Sequence, residues 1–212
     1  MFMSKEKEIT GVLIKPKQYP KVVSVENRLE SLQGVVGGLI QVISGLTPDN
    51  TDIICNDEGK LLGFDLNRAI SDSESNEVVD IFAGDLFVVG CNEEGEFISL
   101  TPEQITEVKN LYYYPEVFLR YNDEIHAVSL NWQINLVGDK DVTLTDRDTG
   151  EVKDVITCSD DNEQLKMAMY INRMKSEVLR NLDFEHSDYN LSAEDILNKA
   201  VDAFDDVWDD ER

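Results

Sequence analysis

Residues 21–43 read KVVSVENRLESLQGVVGGLIQVI and predict a strand, a helix and a second strand in close succession. The valine-rich start is typical of a strand, because β-branched residues suit a pleated, half-buried surface. Asn27 stands where a helix cap is expected. Glu30 follows three residues later, the spacing at which a carboxylate reaches back to the cap.

The helix in this stretch is predicted to bury one face and to end at a glycine pair. Its apolar residues fall at helical spacing, and they are Leu29, Leu32, Val35 and Val36. Gly37 and Gly38 end it, because a residue without Cβ takes the left-handed turn. Residues 39–43 are apolar and predict a buried strand. No catalytic residue type stands out here, so the stretch indicates fold before function.

The surrounding sequence predicts an α+β protein with two domains. Residues 1–115 form a small α+β domain with a mixed or antiparallel sheet and packed helices. Its pattern includes strands at 11–15, 52–55, 61–68, 78–89 and 97–100, a hairpin-type turn at 56–60, a bend at Gly84 and a helix capped by Thr101. Residues 116–212 form an acidic region with an antiparallel β meander and two helices. Its strands are predicted at 117–121, 125–136, 142–145 and 152–158, and its helices at about 162–182 and from Ser192 onward.

The chain is strongly acidic, with 43 Asp and Glu against 19 Lys and Arg and a formal net charge of −24. Residues 1–60 are nearly neutral, with 8 acids and 7 bases, whereas residues 61–115 carry 11 and 2. Residues 116–160 carry 10 and 4, and residues 161–212 carry 14 and 6. Such a surface repels nucleic acid and anionic membranes and attracts cationic partners, while solubility alone is the alternative reading of the charge.

Two acidic turns and the last predicted helix are the candidate partner-binding surface. Duplex DNA offers about one negative charge per 1.7 Å of its axis. A helix with paired aspartates at each turn, beside acidic turns, is a partial imitation of that array. A solvated helix face is the alternative, and both remain open. The predicted residues are Asp57, Glu58, Glu93, Glu94, Glu96, Asp202, Asp205, Asp206, Asp209 and Asp210.

A polar cluster that flanks the turn at 56–60 is a candidate site for a small molecule or a peptide. Its members are Asn56, Glu58, Lys60, Asn67 and Arg68. The alternative is a turn whose polar side chains bond to their own backbone. The glycine pair is no phosphate cradle, because it follows a helix, whereas phosphate-binding loops precede one.

Catalytic and metal chemistry find little support in the sequence. His126 falls on a predicted strand and His186 in a loop, and no Ser or Cys sits in a recognisable nucleophile elbow. Four aspartates suggest calcium, but the ligand order of an EF-hand is missing, which favours a solvated turn. They are Asp139, Asp141, Asp146 and Asp148. We therefore predict no catalytic residues, no metal site and no cofactor.

The cysteines and the apolar runs bear on the compartment. Cys55, Cys91 and Cys158 are widely spaced and odd in number, which fits buried thiols in a reducing cytosol. The N-terminal residues are charged and lack the apolar core of a signal peptide. No apolar run approaches the roughly 20 residues of a membrane span. We expect a soluble protein in the cytoplasm of a host cell, without membrane association.

The N-terminal half resembles a known family. The stretches that carry the resemblance are LESLQGVVGGLIQVI at 29–43, ICNDEGKLLGFDLNRA at 54–69, IFAGDLFVVG at 81–90 and GEFISLTPEQI at 95–105. In order and spacing, residues 10–110 are similar to the family called domain of unknown function 3846, which occurs in phages, plasmids and conjugative elements. The resemblance implies a small α+β domain, offers no established catalytic residues, and suggests activity between a mobile element and its host. Residues 116–212 lie outside it.

Together these features predict a non-enzymatic counter-defence protein of the anti-CRISPR or anti-restriction type. We expect it to bind the cationic nucleic-acid-binding surface of a host CRISPR effector or restriction nuclease, in the manner of a DNA mimic, and not to bind nucleic acid itself. A module that binds or sequesters a nucleotide-like ligand is the alternative from a different class. A metal-dependent hydrolase is the least favoured.

Overall fold

The computed structural model describes residues 6–72 and 77–182. The strands are β1 (Glu8–Ile14), β2 (Lys21–Glu26), β3 (Ile40–Ser44), β4 (Thr51–Asn56), β5 (Leu66–Ser71), β6 (Val78–Ala83), β7 (Leu86–Cys91), β8 (Phe97–Ile98), β9 (Glu116–Tyr121), β10 (Glu124–Ser129), β11 (Trp132–Val137), β12 (Asp141–Asp146) and β13 (Val152–Thr157). The helices are α1 (Leu29–Val36), α2 (Pro102–Leu111) and α3 (Asp161–Asn181). The prediction of an α+β fold with antiparallel strands is confirmed.

The largest sheet has the strand order β2-β1-β7-β4-β3, and β8 pairs with β7 beside this path. Every pair in it is antiparallel. The strand–helix–strand stretch therefore supplies both edges of the sheet, β2 and β3, and α1 connects them. The prediction of a buried strand at 39–43 is wrong, because β3 is an edge strand and Val42 is 40% exposed.

The core of this sheet lies on both of its faces because β7 is buried along nearly its whole length. Leu86 and Val88 belong to a cluster that includes Val108 of α2. Phe87 and Val89, at the alternate positions, belong to a second cluster with residues of α1. Successive side chains of a strand point to opposite faces, so one strand anchors both layers.

The starts of α1 and α2 differ in how well the sequence predicts them. At α2, Thr101 Oγ1 accepts from the Gln104 amide at 3.2 Å and Gln104 Oε1 accepts from the Thr101 amide at 2.9 Å, which confirms the predicted cap. At α1, Arg28 holds the cap position, and its side chain makes no capping bond to the backbone. The predicted Asn27 cap is wrong, because Asn27 is buried and donates to the carbonyl of Phe97 instead.

The ends and turns of the N-terminal half are partly as predicted. Gly37 ends α1 with φ 74°, and Gly84 turns the chain between β6 and β7 with φ 83°. The predicted hairpin at 56–60 is wrong: β4 pairs with β3 and β7, whereas β5 pairs with β6. Leu29 is 43% exposed, so the buried face of α1 is narrower than the spacing suggests.

The chain divides into two compact units, Met1–Gln133 with Leu144–Asp154, and Ile134–Thr143 with Val155–Arg212. The first contains the large sheet, the pair β5-β6 and the pair β10-β9. The second contains α3, which confirms the helix predicted at about 162–182. The predicted division at residue 115 stays a prediction.

Within the second unit, the side chain of Gln164 ties α3 to the turn between β11 and β12. Gln164 is buried and its Nε2 donates to the carbonyl of Asp141 at 2.8 Å and to two further carbonyls, those of Val137 and Gly138. The helix predicted from Ser192 onward lies outside the described residues.

Candidate functional site

One end of the large sheet collects carboxylates from separate parts of the chain. At this end β1 and β4 begin and β2 and β7 end, because the antiparallel registers place Glu8 opposite Glu26 and Thr51 opposite Gly90. We call it the acidic end. Its carboxylate residues are Glu6, Glu8, Glu26, Asp49, Asp52, Glu93, Glu94, Glu96 and Glu103.

Hydrogen bonds fix the turns that present these acids. The Oδ1 of Asn92 accepts from the amides of Glu94 at 3.0 Å and Glu96 at 2.9 Å, which closes the turn between β7 and β8. The Nε2 of Gln104 donates to the carbonyl of Asp49 at 3.2 Å, which holds the start of α2 beside the loop before β4. Glu93 and Glu94 are exposed.

The opposite end of the sheet is close to neutral. Asp57 and Glu58 lie there, after the end of β4, and both are exposed. The acids around them pair with lysines, and the pairs are Lys15–Asp85, Lys17–Asp65 and Lys60–Asp80. The predicted partner-binding residues are thus split, with Glu93, Glu94 and Glu96 at the acidic end and Asp57 and Glu58 about 20 Å away, the length of a six-residue strand.

Two local effects show the negative potential of the acidic end. Glu8 and Glu26 lie directly across from each other on β1 and β2, an arrangement of like charges that destabilises a sheet. Arg28 forms an ion pair with Glu26. Burial first, and the neighbouring Asp52 carboxylate second, raise the pKa of the Cys91 thiol. The Arg28 ion pair offsets part of the repulsion between the two facing glutamates.

The predicted acids of the last helix, Asp202, Asp205, Asp206, Asp209 and Asp210, lie outside the described residues, as does His186.

The predicted ligand cluster separates into a buried part and an exposed part. Asn67 is fully buried and donates to the carbonyls of Ile14 at 2.9 Å and Gly84 at 2.7 Å. Arg68 is 1% exposed, and its guanidinium donates to the carbonyls of Tyr112, Gln18 and Asn67 and to Asn67 Oδ1. Both side chains use their donors to join segments of backbone.

The other members of this cluster line a cavity of about 310 Å³, which Asn67 and Arg68 do not reach. Asn56 is buried there, with its Nδ2 donating to the carbonyl of Val36 at 3.2 Å and its Oδ1 accepting from the Glu58 amide at 2.8 Å. Lys60 pairs with Asp80, and this bond holds the pKa of the Asp80 carboxyl below its ordinary value. A nucleotide-like ligand at this cavity stays a prediction.

Of the four aspartates considered for calcium, Asp146 caps a turn, whereas Asp141 accepts from Thr157 Oγ1 at 2.7 Å and Asp148 accepts from Asn131 Nδ2 at 3.0 Å. The Oδ1 of Asp146 accepts from the amides of Asp148 at 2.8 Å and Thr149 at 3.0 Å. These bonds are among the causes that hold the pKa of Asp146 below its ordinary value. Across residues 6–72 and 77–182, no group of three or more His, Cys, Asp or Glu side chains is arranged to hold a metal ion.

A second and larger cavity, of about 430 Å³, lies in the first unit, and no sequence pattern pointed to it. It is lined in part by Glu116, His126, Trp132, Lys153 and Asp154. His126 lies on β10, which confirms that it is part of a strand. Its Nδ1 is 2.6 Å from Asp154 Oδ2. These residues come from four separate strands, and no local motif signals that they meet.

Glu116 is the most perturbed carboxyl in the described part of the chain. Burial raises its pKa from 4.5 to about 7, although the amide of Ala69, which donates to Oε2 at 2.7 Å, and the nearby Arg68 both act in the opposite direction. A group whose pKa is shifted by burial and that lines a cavity is a candidate for ligand binding.

The cysteines agree in part with the sequence analysis. Cys55 and Cys158 are buried, as predicted, and Cys91 is partly exposed. Burial is the main cause that raises the pKa of the Cys55 thiol to about 11, so it is neutral near pH 7.

None of the helices in the described ranges is long and apolar enough to cross a bilayer.

Comparison with known families confirms the resemblance in the N-terminal half. Residues 9–113 match the family described as "Domain of unknown function (DUF3846)". This part of the chain belongs to that family. The match begins at the second residue of β1 and ends just after α2, so it includes nearly all of the large sheet and every residue of the acidic end except Glu6 and Glu8. No curated protein and no solved structure matches the chain significantly.

Proposed function

We propose that this protein is a non-enzymatic inhibitor that places the acidic end of its sheet on a cationic, nucleic-acid-binding surface of a host nuclease. The nuclease would be a CRISPR effector or a restriction enzyme, and the inhibitor would serve a mobile element that the host attacks. The observation that carries the proposal is the difference in charge between the two ends of the sheet. One end holds nine carboxylate residues, whereas at the other end the carboxylates are offset by the lysines Lys15, Lys17, Lys21 and Lys60.

The density of charge at the acidic end supports mimicry of DNA. The sheet is five strands wide, or about 19 Å at a strand spacing of about 4.8 Å. Duplex DNA of that length carries about 11 charges. The acidic end presents nine carboxylate residues across this width, with Lys7 and Arg28 as the basic residues of the same segments. The number of carboxylates at the acidic end is therefore similar to the number of charges on DNA of the same length.

A purely structural role explains this arrangement less well. Solubility requires net charge but not its concentration, and like charges that face each other across two strands, as Glu8 and Glu26 do, are unfavourable in a sheet. Carboxylates in one field speed association with a basic partner and make binding sensitive to salt. The proposed binding is therefore tight at low salt and weakens steeply as salt rises.

Two triple variants with equal loss of charge test the proposal. One removes three exposed acids of the acidic end, Glu8→Gln, Glu93→Gln and Glu94→Gln. The matched control removes three exposed acids of the opposite end, Asp57→Asn, Glu58→Gln and Asp65→Asn. Binding to a panel of purified host nucleases is measured by biolayer interferometry in about 50 mM and about 500 mM salt, with and without a competing DNA duplex.

We expect the first variant to bind at least tenfold more weakly at low salt and the control to stay within about threefold of wild type, since three lost charges act at close range only in the first. We also expect the duplex to compete. Equal losses in both variants would show that net charge alone matters. Absence of binding to every nuclease at low salt would refute the proposal.

A further inference from the structure

The cavity beside Glu116 has the dimensions and walls of a small-molecule site. Its volume of about 430 Å³ lies within the range of typical ligand pockets. Its walls are the pairs β5-β6 and β9-β10, with Trp132 of β11 and Asp154 of β13. All of them belong to the first compact unit.

The charges of this cavity select for a cation. Its acidic lining residues are Glu77, Glu116, Glu124 and Asp154, and its basic ones are His126 and Lys153. Lys153 also bonds to Glu151, which lies outside the lining, and His126 bonds to Asp154. Carboxylates in a cleft with low-dielectric walls concentrate the field and draw in positive ligands.

Glu116 offers a carboxylate oxygen at the wall of the cavity. Its Oε2 accepts the Ala69 amide at 2.7 Å, and the residue itself lines the cavity. A buried carboxyl gains most from an ammonium or guanidinium ligand, because the ligand supplies donors and charge together. Trp132 adds an aromatic wall, and the face of an indole attracts cations.

We propose that this cavity binds a small organic cation with a guanidinium or ammonium group, which Glu116 holds through its carboxylate. The cation comes either from a free amine or from a basic side chain of a peptide. The proposal does not rest on nuclease inhibition, because the cavity residues are distinct from the residues of the acidic end.

Binding of such a cation requires an ionised Glu116. The groups that surround this carboxyl are Arg68, Tyr112, Glu77, Glu124, His126, Lys153 and Asp154. With a pKa of about 7, Glu116 is about one tenth ionised at pH 6 and about nine tenths ionised at pH 8. Affinity for the cation should therefore rise about tenfold between these pH values, with release of a proton on binding near pH 7.

Isothermal titration calorimetry of the full-length protein with agmatine tests the site, at low salt and at pH 6 and 8. The neutral control ligand is butylurea, and N-acetyl-arginine amide represents a peptide side chain. The variant is Glu116→Gln. Its matched control is Asp123→Asn, which removes one acid that is 96% exposed and outside the cavity lining.

We expect agmatine to bind wild type and Asp123→Asn alike, butylurea not to bind, and Glu116→Gln to bind at least tenfold more weakly and with little pH dependence. Binding of the arginine amide as well would assign a peptide source, and its failure to bind would assign a free amine. The triple variant of the acidic end should bind agmatine like wild type, which separates this result from the nuclease assay.

If Glu116→Gln does not fold, Trp132→Leu replaces it, with an expected loss of at least fivefold in affinity. Failure of wild type to bind agmatine at millimolar concentration, equal binding of butylurea, or unchanged affinity in the variants would overturn the proposal.

Discussion

Replacement of Arg68 by methionine separates a structural role for this residue from a role in ligand binding. The guanidinium donates to the carbonyl of Tyr112 from Nε at 3.3 Å and from Nη2 at 3.0 Å. It also donates to the carbonyls of Gln18 at 3.0 Å and Asn67 at 3.1 Å. Methionine keeps the apolar stem of the side chain but leaves these carbonyls without their donor.

The cost follows from burial. Each buried polar group that loses its hydrogen-bond partner lowers the free energy of unfolding by about 1–3 kcal/mol. Removal of one partner of a buried ion pair lowers it by about 3–5 kcal/mol. Arg68 is 1% exposed, and burial lowers its pKa to about 10, so it remains charged near pH 7. We expect Arg68→Met to reduce the free energy of unfolding by about 3–5 kcal/mol.

Urea denaturation followed by circular dichroism measures this change. With a slope of about 2 kcal/mol per molar urea, the midpoint should fall by about 1.5–2.5 M. The control is Lys60→Met, which removes an exposed charge paired with Asp80 and should cost less than about 1 kcal/mol. A midpoint for Arg68→Met within about 0.5 M of wild type would refute the structural role and favour a ligand-binding one.

Three further substitutions test the pH response of stability and the packing of the large sheet and α1. The pKa of Glu116 is about 7 in the fold against an ordinary 4.5, so its contribution to stability is complete below about pH 4.5 and is lost as pH rises through 7. Between pH 4.5 and 8, wild type should therefore lose on the order of 3 kcal/mol of unfolding free energy relative to Glu116→Gln. Urea denaturation at each pH measures this difference. Plots of unfolding free energy against pH that run parallel for the two proteins would contradict the prediction. Gly11→Ala should destabilise by about 3 kcal/mol, because its Cβ would lie 2.3 Å from the Val88 carbonyl oxygen and 2.6 Å from the Phe87 ring. Gly34→Ala, in open space on α1, should instead stabilise by about 0.5–1 kcal/mol, and thermal melting that ranks the two alanine variants the other way would contradict the packing argument.

Local patterns predicted the elements where neighbouring residues decide the structure. The capping box from Thr101 to Gln104, the end of α1 at Gly37 and the bend at Gly84 depend on backbone geometry within a few residues. The prediction that Asn27 caps α1 was wrong because its side chain bonds to a residue far away in the chain. It donates to the carbonyl of Phe97, 70 residues away, and a rule based on neighbouring residues cannot predict that contact.

Local sequence patterns also fail to predict the functional surfaces, because these surfaces join residues that are distant in the chain. Net charge was evident from composition, but its sorting to one end of the sheet depends on the order β2-β1-β7-β4-β3, which joins distant segments. The pairing of β4 with β7 in place of β5 moved Asn67 and Arg68 away from the turn that they were expected to flank. The cavity of Glu116, His126 and Asp154 joins three strands that share no motif.

Sequence by itself determined that residues 21–43 form a strand, a helix and a strand, because β-branched runs, helical spacing and a left-handed glycine are local properties of the chain. Tertiary structure alone decided that these two strands are the edges of the sheet and that β7 fills its centre. Strand pairing is a contest among distant segments for hydrogen bonds and buried apolar area. Its outcome also set which carboxylates gather at the acidic end and which line the cavity of Glu116.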